Sequence, residues 1–482
     1  MVFNSFTFLV FFVIVITLYY TLCRKSKDAQ NVLLLLASYF FYSYASLKLL
    51  PVLVITTVVF YILGICIGKV KEDIASWLKI LGIVLGLGLL AYFKYLNFFI
   101  DSIVSLLKYC GLSPNLHTLS VIMPIGISFF TFRLISYVIE VEHENIEPVR
   151  DFVSFAVYVS FFPCILSGPI DRPDKFIPQL GTKRSWDWSM IENGSMQILW
   201  GLFKKVVIAD NCSLVVDEVW SSIAHQNSST LVLVAFLYLF QLYADFSGYS
   251  DMAIGIGKLL GLKVATNFRF PLFAINISDF WRRWHISLTQ WLTDYVYTPL
   301  SFAFRGLGKA GLILAIVFNF VLVGFWHGAN WNYGLYGLYH GCLFIPLILS
   351  GAFQKSATIT TNRLGLPTLA CFGQILLTWT LVAIGLIIFR AENISLGWDY
   401  FTGMFTSTIC KVPSFAGMAN TNAIIAIVYI FIMLLLDWVS RDKEFFLANT
   451  GNSLYKYMMI VFFVLSIYYL GGNSASFVYF QF

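Results

Sequence analysis

The stretch AGLILAIVFNFVLVGFWHGANWNYGLYGLYHGCLFIPLILSGAFQ, residues Ala310–Gln354, contains no Asp, Glu, Lys or Arg. A membrane-crossing helix needs about 20 predominantly apolar residues, so this run is long enough for two crossings. A helix on a soluble core keeps a polar face toward water and has no reason to be apolar all round for this length. On either side, Met1–Cys23, Leu364–Phe389, Val412–Leu436 and Tyr457–Phe482 are equally free of those four residues. Apolar residues make up 59% of the chain and charged ones 12%, against about 25% charged in soluble proteins. The chain therefore reads as an all-α polytopic membrane protein. Further apolar runs near 31–47, 50–68, 78–98, 119–139 and 231–244 raise the expectation to about 11–13 membrane helices, some tilted or re-entrant.

Met1–Cys23 opens without a basic region and leads into no small-residue cleavage pattern, so it is expected to stay as the first span. Arg24, Lys25 and Lys27 then place its far end in the cytoplasm and the N-terminus outside, and Lys69 and Lys71 agree. The net charge of +6 is what cytoplasmic loops supply and does not suggest nucleic acid as a partner. Lys204 and Lys205 are expected to meet lipid headgroups. The eight cysteines lie singly, with no Cys-x-x-Cys pair, which argues against metal ligation and a disulfide framework. The chain divides into N-terminal helices (1–140), a candidate catalytic core (151–345) and C-terminal helices (364–482) of one transmembrane domain. Within the core, Phe161–Pro178 carries Pro163, Pro169, Pro173 and Pro178, which predicts a helix ending inside the protein or a re-entrant element. Arg172, Lys175, Lys183 and Arg184 suggest that this segment returns to the cytoplasm.

Three of the six histidines, His285, His327 and His340, fall in the second half of the core. An ionisable group in a span is costly, faces protein or a water-filled cavity, and marks a candidate functional site. His327 sits in Gly324–Trp331 (GFWHGANW), where small residues allow close backbone approach or a break between helices. An imidazole with an ordinary pKa of about 6.5 can take a proton from a hydroxyl near neutral pH, a contribution of ~10²–10⁴-fold in rate. A buried histidine tied to a backbone carbonyl fits the same spacing. His285 lies in Asn276–Leu288 (NISDFWRRWHISL). Ser278 or Asp279 is placed to cap a helix on which Phe280, Trp284, Ser287, Leu288 and Trp291 form one stripe, with His285 at its edge. Arg282 and Arg283 favour an amphipathic or re-entrant helix on the cytoplasmic side, as an interfacial anchor or as a donor-facing site. His340 falls off the His327 face of an ideal helix and is expected to pack or to hydrogen bond. Asp245 and Asp251, in DFSGYSD, are expected at the end of a span, capping it or pairing with Arg. No Gly-rich phosphate loop follows a strand, and there is no Gly-x-Ser-x-Gly nucleophile turn.

Several of these segments recur in a fixed order: Met1–Ser5 (MVFNS), Pro124–Phe132 (PIGISFFTF), Phe161-Phe162-Pro163 to Gly168-Pro169-Ile170, Asp245–Asp251, Phe280–His285, Gly324–Gly328 and Phe477–Phe482 (FVYFQF). In that order the sequence resembles the membrane-bound O-acyltransferase family. The likeness is to its bacterial polysaccharide branch of alginate, peptidoglycan and cellulose O-acetyltransferase subunits, with teichoic-acid D-alanyl transfer proteins as the next relatives. The resemblance implies tilted helices around a thin centre pierced by a tunnel, in a bacterial cytoplasmic membrane. It implies His327 as the catalytic histidine and His285 as the second characteristic one, nearer the cytoplasmic mouth. It further implies no bound cofactor, an acyl thioester co-substrate (acetyl-CoA or an acyl carrier) and an extracytoplasmic polysaccharide acceptor. A separate secreted or periplasmic SGNH-type transferase with a Ser/His/Asp site would be the partner, since this chain has no such domain. Arg282, Arg283, Trp326, Asn332, His340 and Asp245 complete the candidate substrate- and donor-binding set. Cys164 departs from the family pattern, which often carries a polar residue in that stretch. A transporter of polysaccharide or lipid-linked sugar, also built from broken helices and midplane polar residues, is the alternative from another class. A non-catalytic subunit of a polysaccharide synthase is a third.

Overall fold

In hydrocarbon every backbone N–H and C=O must be satisfied within the protein, so apolar runs become helices. The computed structural model describes residues 1–112, 118–353, 355, 357–415, 419–448 and 453–471; the Phe477–Phe482 motif lies outside the described residues. Among them, seven helices are long and apolar enough to cross a membrane: Leu47–Ile67, Glu72–Tyr109, Ser228–Leu259, Lys309–His327, Leu369–Arg390, Ala419–Val439 and Ser453–Leu470. Phe6–Tyr20 is apolar but shorter. The only β pairing among the described residues is an isolated bridge, Thr361 with Pro367. The all-α polytopic class holds. One detail differs: the second half of Ala310–Gln354 is two short helices, Trp331–Cys342 and Ile345–Leu349, not one full crossing. Pro346, in the first turn of the later helix, has no N–H to carry an unbroken helix through that point.

The chain forms two compact units, Met1–Ser195 with Ala253–Ala265, and Met196–Met252 with Thr266–Phe482. In the first, helix Ile127–Glu142 is buried along most of its length. Helix Glu72–Leu90 reaches it through Gly82 and Gly86, where an added Cβ would lie 3.1 Å from Val138 and 2.8 Å from Ile135; small residues allow such close approach in membranes. Arg133, wholly buried, donates to the carbonyls of Tyr158 and Val159 at 3.2 Å each and of Pro169 at 3.0 Å. Those carbonyls flank the proline-broken segment. Helix Phe152–Ser160 stops at Phe161, residues 161–170 turn while fully buried, and Pro173 opens helix Pro173–Leu180. The helix thus ends inside the protein, as its prolines predict, and Arg133 supplies donors to backbone oxygens that the break leaves unserved. Arg184 ties this segment to the N-terminal helices. It is buried, donating to Tyr19 Oη at 2.7 Å, Asn31 Oδ1 at 2.6 Å and the Thr182 carbonyl at 2.8 Å.

In the second unit the span entered at Leu231 does not end at Ala244. Ser228–Leu259 is one helix through both aspartates, and they meet lysines, not arginines. Lys205 Nζ lies 2.7 Å from Asp210 and 2.9 Å from Asp245. Lys204 Nζ contacts Asp251 at 2.5 Å and donates to Ser247 Oγ at 2.9 Å. Lys204 and Lys205 are buried, so neither is a headgroup ligand; ionised side chains taken out of water require partners of this kind. Two local features bring them there. The backbone widens into a π turn at Phe203–Ala209. Gly201 and Gly248 let the two helices touch, since a Cβ on either would lie 2.5 or 2.7 Å from the other's carbonyl oxygen.

Candidate active site

His327 ends helix Lys309–His327, the extended Gly328 follows, and Asn330 caps helix Trp331–Cys342 by accepting the Asn332 N–H. These helices form a hairpin whose backbones interlock: a Cβ on Gly324 would collide with the Tyr333 carbonyl, and one on Gly337 with that of Phe320. The break anticipated beside His327 is therefore real, and its position is fixed by packing. The buried imidazole is surrounded by rings, with centroids at 5.0 Å (Trp326), 5.1 Å (Phe389) and 6.2 Å (Tyr336).

His285 stands at a second break. The single helix expected across 278–291 is two helices, Ile277–Arg283 and Ile286–Leu292, and His285 between them has φ 44° and ψ 52°. A non-glycine residue in that left-handed region is strained and persists only when its surroundings hold it. Here the extended chain at 267–269 does so: the Ile286 N–H donates to the Asn267 carbonyl at 2.8 Å, and the Arg269 N–H to the Arg283 carbonyl at 3.0 Å. The first helix is capped by Asn276, not by Ser278 or Asp279; Asp279 instead pairs with Arg283 at 2.8 Å. Trp281, Trp284 and His285 are buried in the protein, so these side chains do not serve as lipid-facing interfacial anchors.

The two breaks converge on one indole. Trp326 lies 5.5 Å from the His285 ring and 5.0 Å from that of His327, centroid to centroid. His340 sits further along the hairpin, 4.6 Å from the Tyr336 ring. Its Nδ1 accepts the Trp281 indole N–H at 3.3 Å, so the neutral ring carries its proton on Nε2. Gly385 makes room for that nitrogen: a Cβ there would lie 2.5 Å from it. With one nitrogen engaged and the other protonated, His340 is suited to packing and hydrogen bonding, not to proton removal.

A cavity of about 450 Å³ lies against Trp281, which holds His340, and Ile286, which follows His285. Its wall includes Trp281, Arg282, Ile286, Gln290, Asn319 and Phe320. The Asn319 Oδ1 atom is buried and has no hydrogen-bond partner among the described residues.

The sequence matches the membrane-bound O-acyltransferase family over residues 4–389. The chain belongs to that family. Among the relatives of this acyltransferase is a probable alginate O-acetylase from Pseudomonas syringae pathovar tomato, 37% identical over 84% of this chain and 75% of the relative. One from Pseudomonas putida is 34% identical over the full length of both. A peptidoglycan O-acetyltransferase from Helicobacter pylori is 33% identical over 77% of this chain and 73% of its own. The resemblance read from the ordered motifs is thereby established.

For this acyltransferase the candidate residues separate into groups. His285, His327 and Trp326 come together, with His340 beyond Tyr336. Arg282 faces the cavity and donates to the Phe353 carbonyl at 3.1 Å, whereas Arg283 is held by Asp279. Asn332 ties the hairpin to the Ala391 carbonyl, and Asp245 belongs to the Lys205 ion pair. The sequence reading passed over Asn267, Asn319, Tyr336 and Phe389. Asn319 carried a signal that could have found it, as the lone amide of the apolar helix Lys309–His327. Phe389, one of 47 phenylalanines, carried none.

Proposed function

We propose that this membrane acyltransferase carries an acetyl group from a cytoplasmic thioester to hydroxyls of an extracytoplasmic polysaccharide, directly or through a secreted SGNH-type transferase. The observation that carries this reading is the meeting of His285 and His327, from separate elements, on Trp326. In it, His327 takes the proton of an acceptor hydroxyl as its oxygen attacks the thioester carbonyl. The new C–O bond forms, the C–S bond breaks, and the thiolate leaves on the cytoplasmic side and takes up a proton. The acyl group crosses while its carrier stays behind.

The cavity beside Arg282 suits the donor. Acetyl-CoA and acyl carriers share a pantetheine arm, with amides along a flexible chain and a phosphate at its far end. Asn319 Oδ1 is an unserved acceptor for an amide N–H, and the Arg282 guanidinium is a partner for phosphate. Acetyl is favoured over D-alanyl because the three relatives above are named as O-acetylating enzymes. The protein is placed in a bacterial cytoplasmic membrane with Arg24, Lys25 and Lys27 inside and the N-terminus outside, following the positive-inside rule.

The test is acetyl ester on secreted polymer. In a deletion strain, ester should vanish while polymer yield stays normal, and the wild-type gene should restore it where His327→Ala does not, at equal abundance in the membrane. Full esterification by the His327→Ala protein would remove the assigned base.

A further inference from the structure

The His285 kink is held by a residue far from it in sequence, and that contact decides which ring nitrogen is basic. Asn267 is wholly buried and lies on the extended chain that pins the kink through its backbone. Its side chain makes three contacts: Nδ2 donates to Ser250 Oγ at 3.1 Å, Oδ1 accepts from Ser287 Oγ at 2.6 Å, and Oδ1 lies 3.3 Å from His285 Nδ1. The lengths themselves orient the amide. A separation of 2.6 Å is an O–H···O distance, too short for a usual N–H···O bond, whereas 3.1 Å suits an amide N–H donor. The atom facing the imidazole is therefore oxygen, which can only accept, so Nδ1 must carry the proton. Around the same ring stand Phe246, at 4.7 Å between centroids, and Trp326, at 5.5 Å.

We infer that Asn267 is a positioning residue that locks His285 as the Nδ1–H tautomer and so presents Nε2 as a base to the reactants. His340 is held the opposite way by the Trp281 N–H, so two of the three histidines buried among the described residues, His285 and His340, are set as mirror tautomers by their neighbours. Fixing one ring nitrogen through the hydrogen bond made by the other is a general way of preparing histidine for proton transfer. The inference rests on the reading that His285 takes part in acyl transfer, but the tautomer is measurable without any turnover.

The decisive experiment is nitrogen NMR on the full chain in lipid nanodiscs, with only histidine ¹⁵N-labelled. At a pH where imidazole is neutral, an Nδ1-protonated ring signal is expected that disappears in His285→Gln. In Asn267→Asp, which keeps an acceptor oxygen, the Nδ1–H signal should persist; in Asn267→Leu it should be lost or reduced at least about threefold in favour of Nε2–H. A wild-type His285 carrying its proton on Nε2 overturns the inference, as does an unchanged tautomer in Asn267→Leu. Acetyl ester on secreted polymer supplies the second readout. Asn267→Leu is expected to lower it at least tenfold, and Asn267→Asp to recover most of it, at matched membrane abundance. Equal esterification by all three proteins also overturns the role. If His285→Gln itself esterifies normally while the tautomer result holds, the catalytic reading of His285 fails and the assignment of its proton stands.

Discussion

His327 and His340 lie in one hairpin and have different prospects because their neighbours differ. His327 stands at the end of its helix among Trp326, Tyr336 and Phe389. His340 gives its lone pair to Trp281. Replacing His327 with alanine or glutamine should lower acyl transfer by about 10²–10⁴-fold, the range attributable to a general base, without loss of protein from the membrane. Trp281→Phe keeps the ring packed against His340 but deletes the N–H. It should cost about 1 kcal/mol of stability, seen as a modestly lower melting midpoint in detergent, with transfer reduced far less than by His327→Ala. At this scale the sequence was informative wherever a polar side chain interrupted an uncharged run, which is how His327 stood out. Asn267 was not legible, because its importance comes from contacts to Ser250 and Ser287 that chain order does not reveal.

The elements that matter are discontinuous. A stripe of aromatic residues across 280–291 reads as one helix, since periodicity counts side chains and does not register a residue in left-handed backbone. Pairing of 267–269 with the two ends of the kink breaks it. The hairpin that holds His327 was more legible, because glycines on either side of the histidine announce close packing. Gly324→Val should force the helices apart, leaving little folded protein by fluorescence-detected size exclusion. Gly328→Ala, at an extended position outside the helix, meets first the Tyr333 ring, a side chain and not backbone, and should be milder. The aspartates in Ser228–Leu259 were misplaced to a helix end because an acid in mid-span has no sequence-local explanation. Their partners lie on another helix. Lys205→Met leaves Asp210 and Asp245 buried without their cation and should cost about 3–5 kcal/mol. Combining it with Asp210→Asn and Asp245→Asn should restore part of the folded yield.

For the molecule as a whole, composition alone was enough for the class, because a charge-free run such as Ala310–Gln354 has one physical explanation. The proposed orientation rests on a handful of basic residues, Arg24, Lys25 and Lys27 first among them. A single cysteine at Ser26, in a background lacking the native cysteines, should resist a membrane-impermeant maleimide added to intact cells and react once the membrane is opened; labelling from outside would invert the proposed topology. The buried ion pairs carry a consequence for biosynthesis. A helix with one aspartate near its middle and a second about two turns before its end is a poor substrate for insertion, an acid costing roughly 2.5–3.5 kcal/mol at the bilayer centre. Ribosomes release Lys204 and Lys205 before Asp245 and Asp251, so the counter-charges can already be waiting when the acidic helix leaves the translocon. Moving the two lysines behind that helix in a permuted gene would preserve every native contact and still be expected to stall assembly.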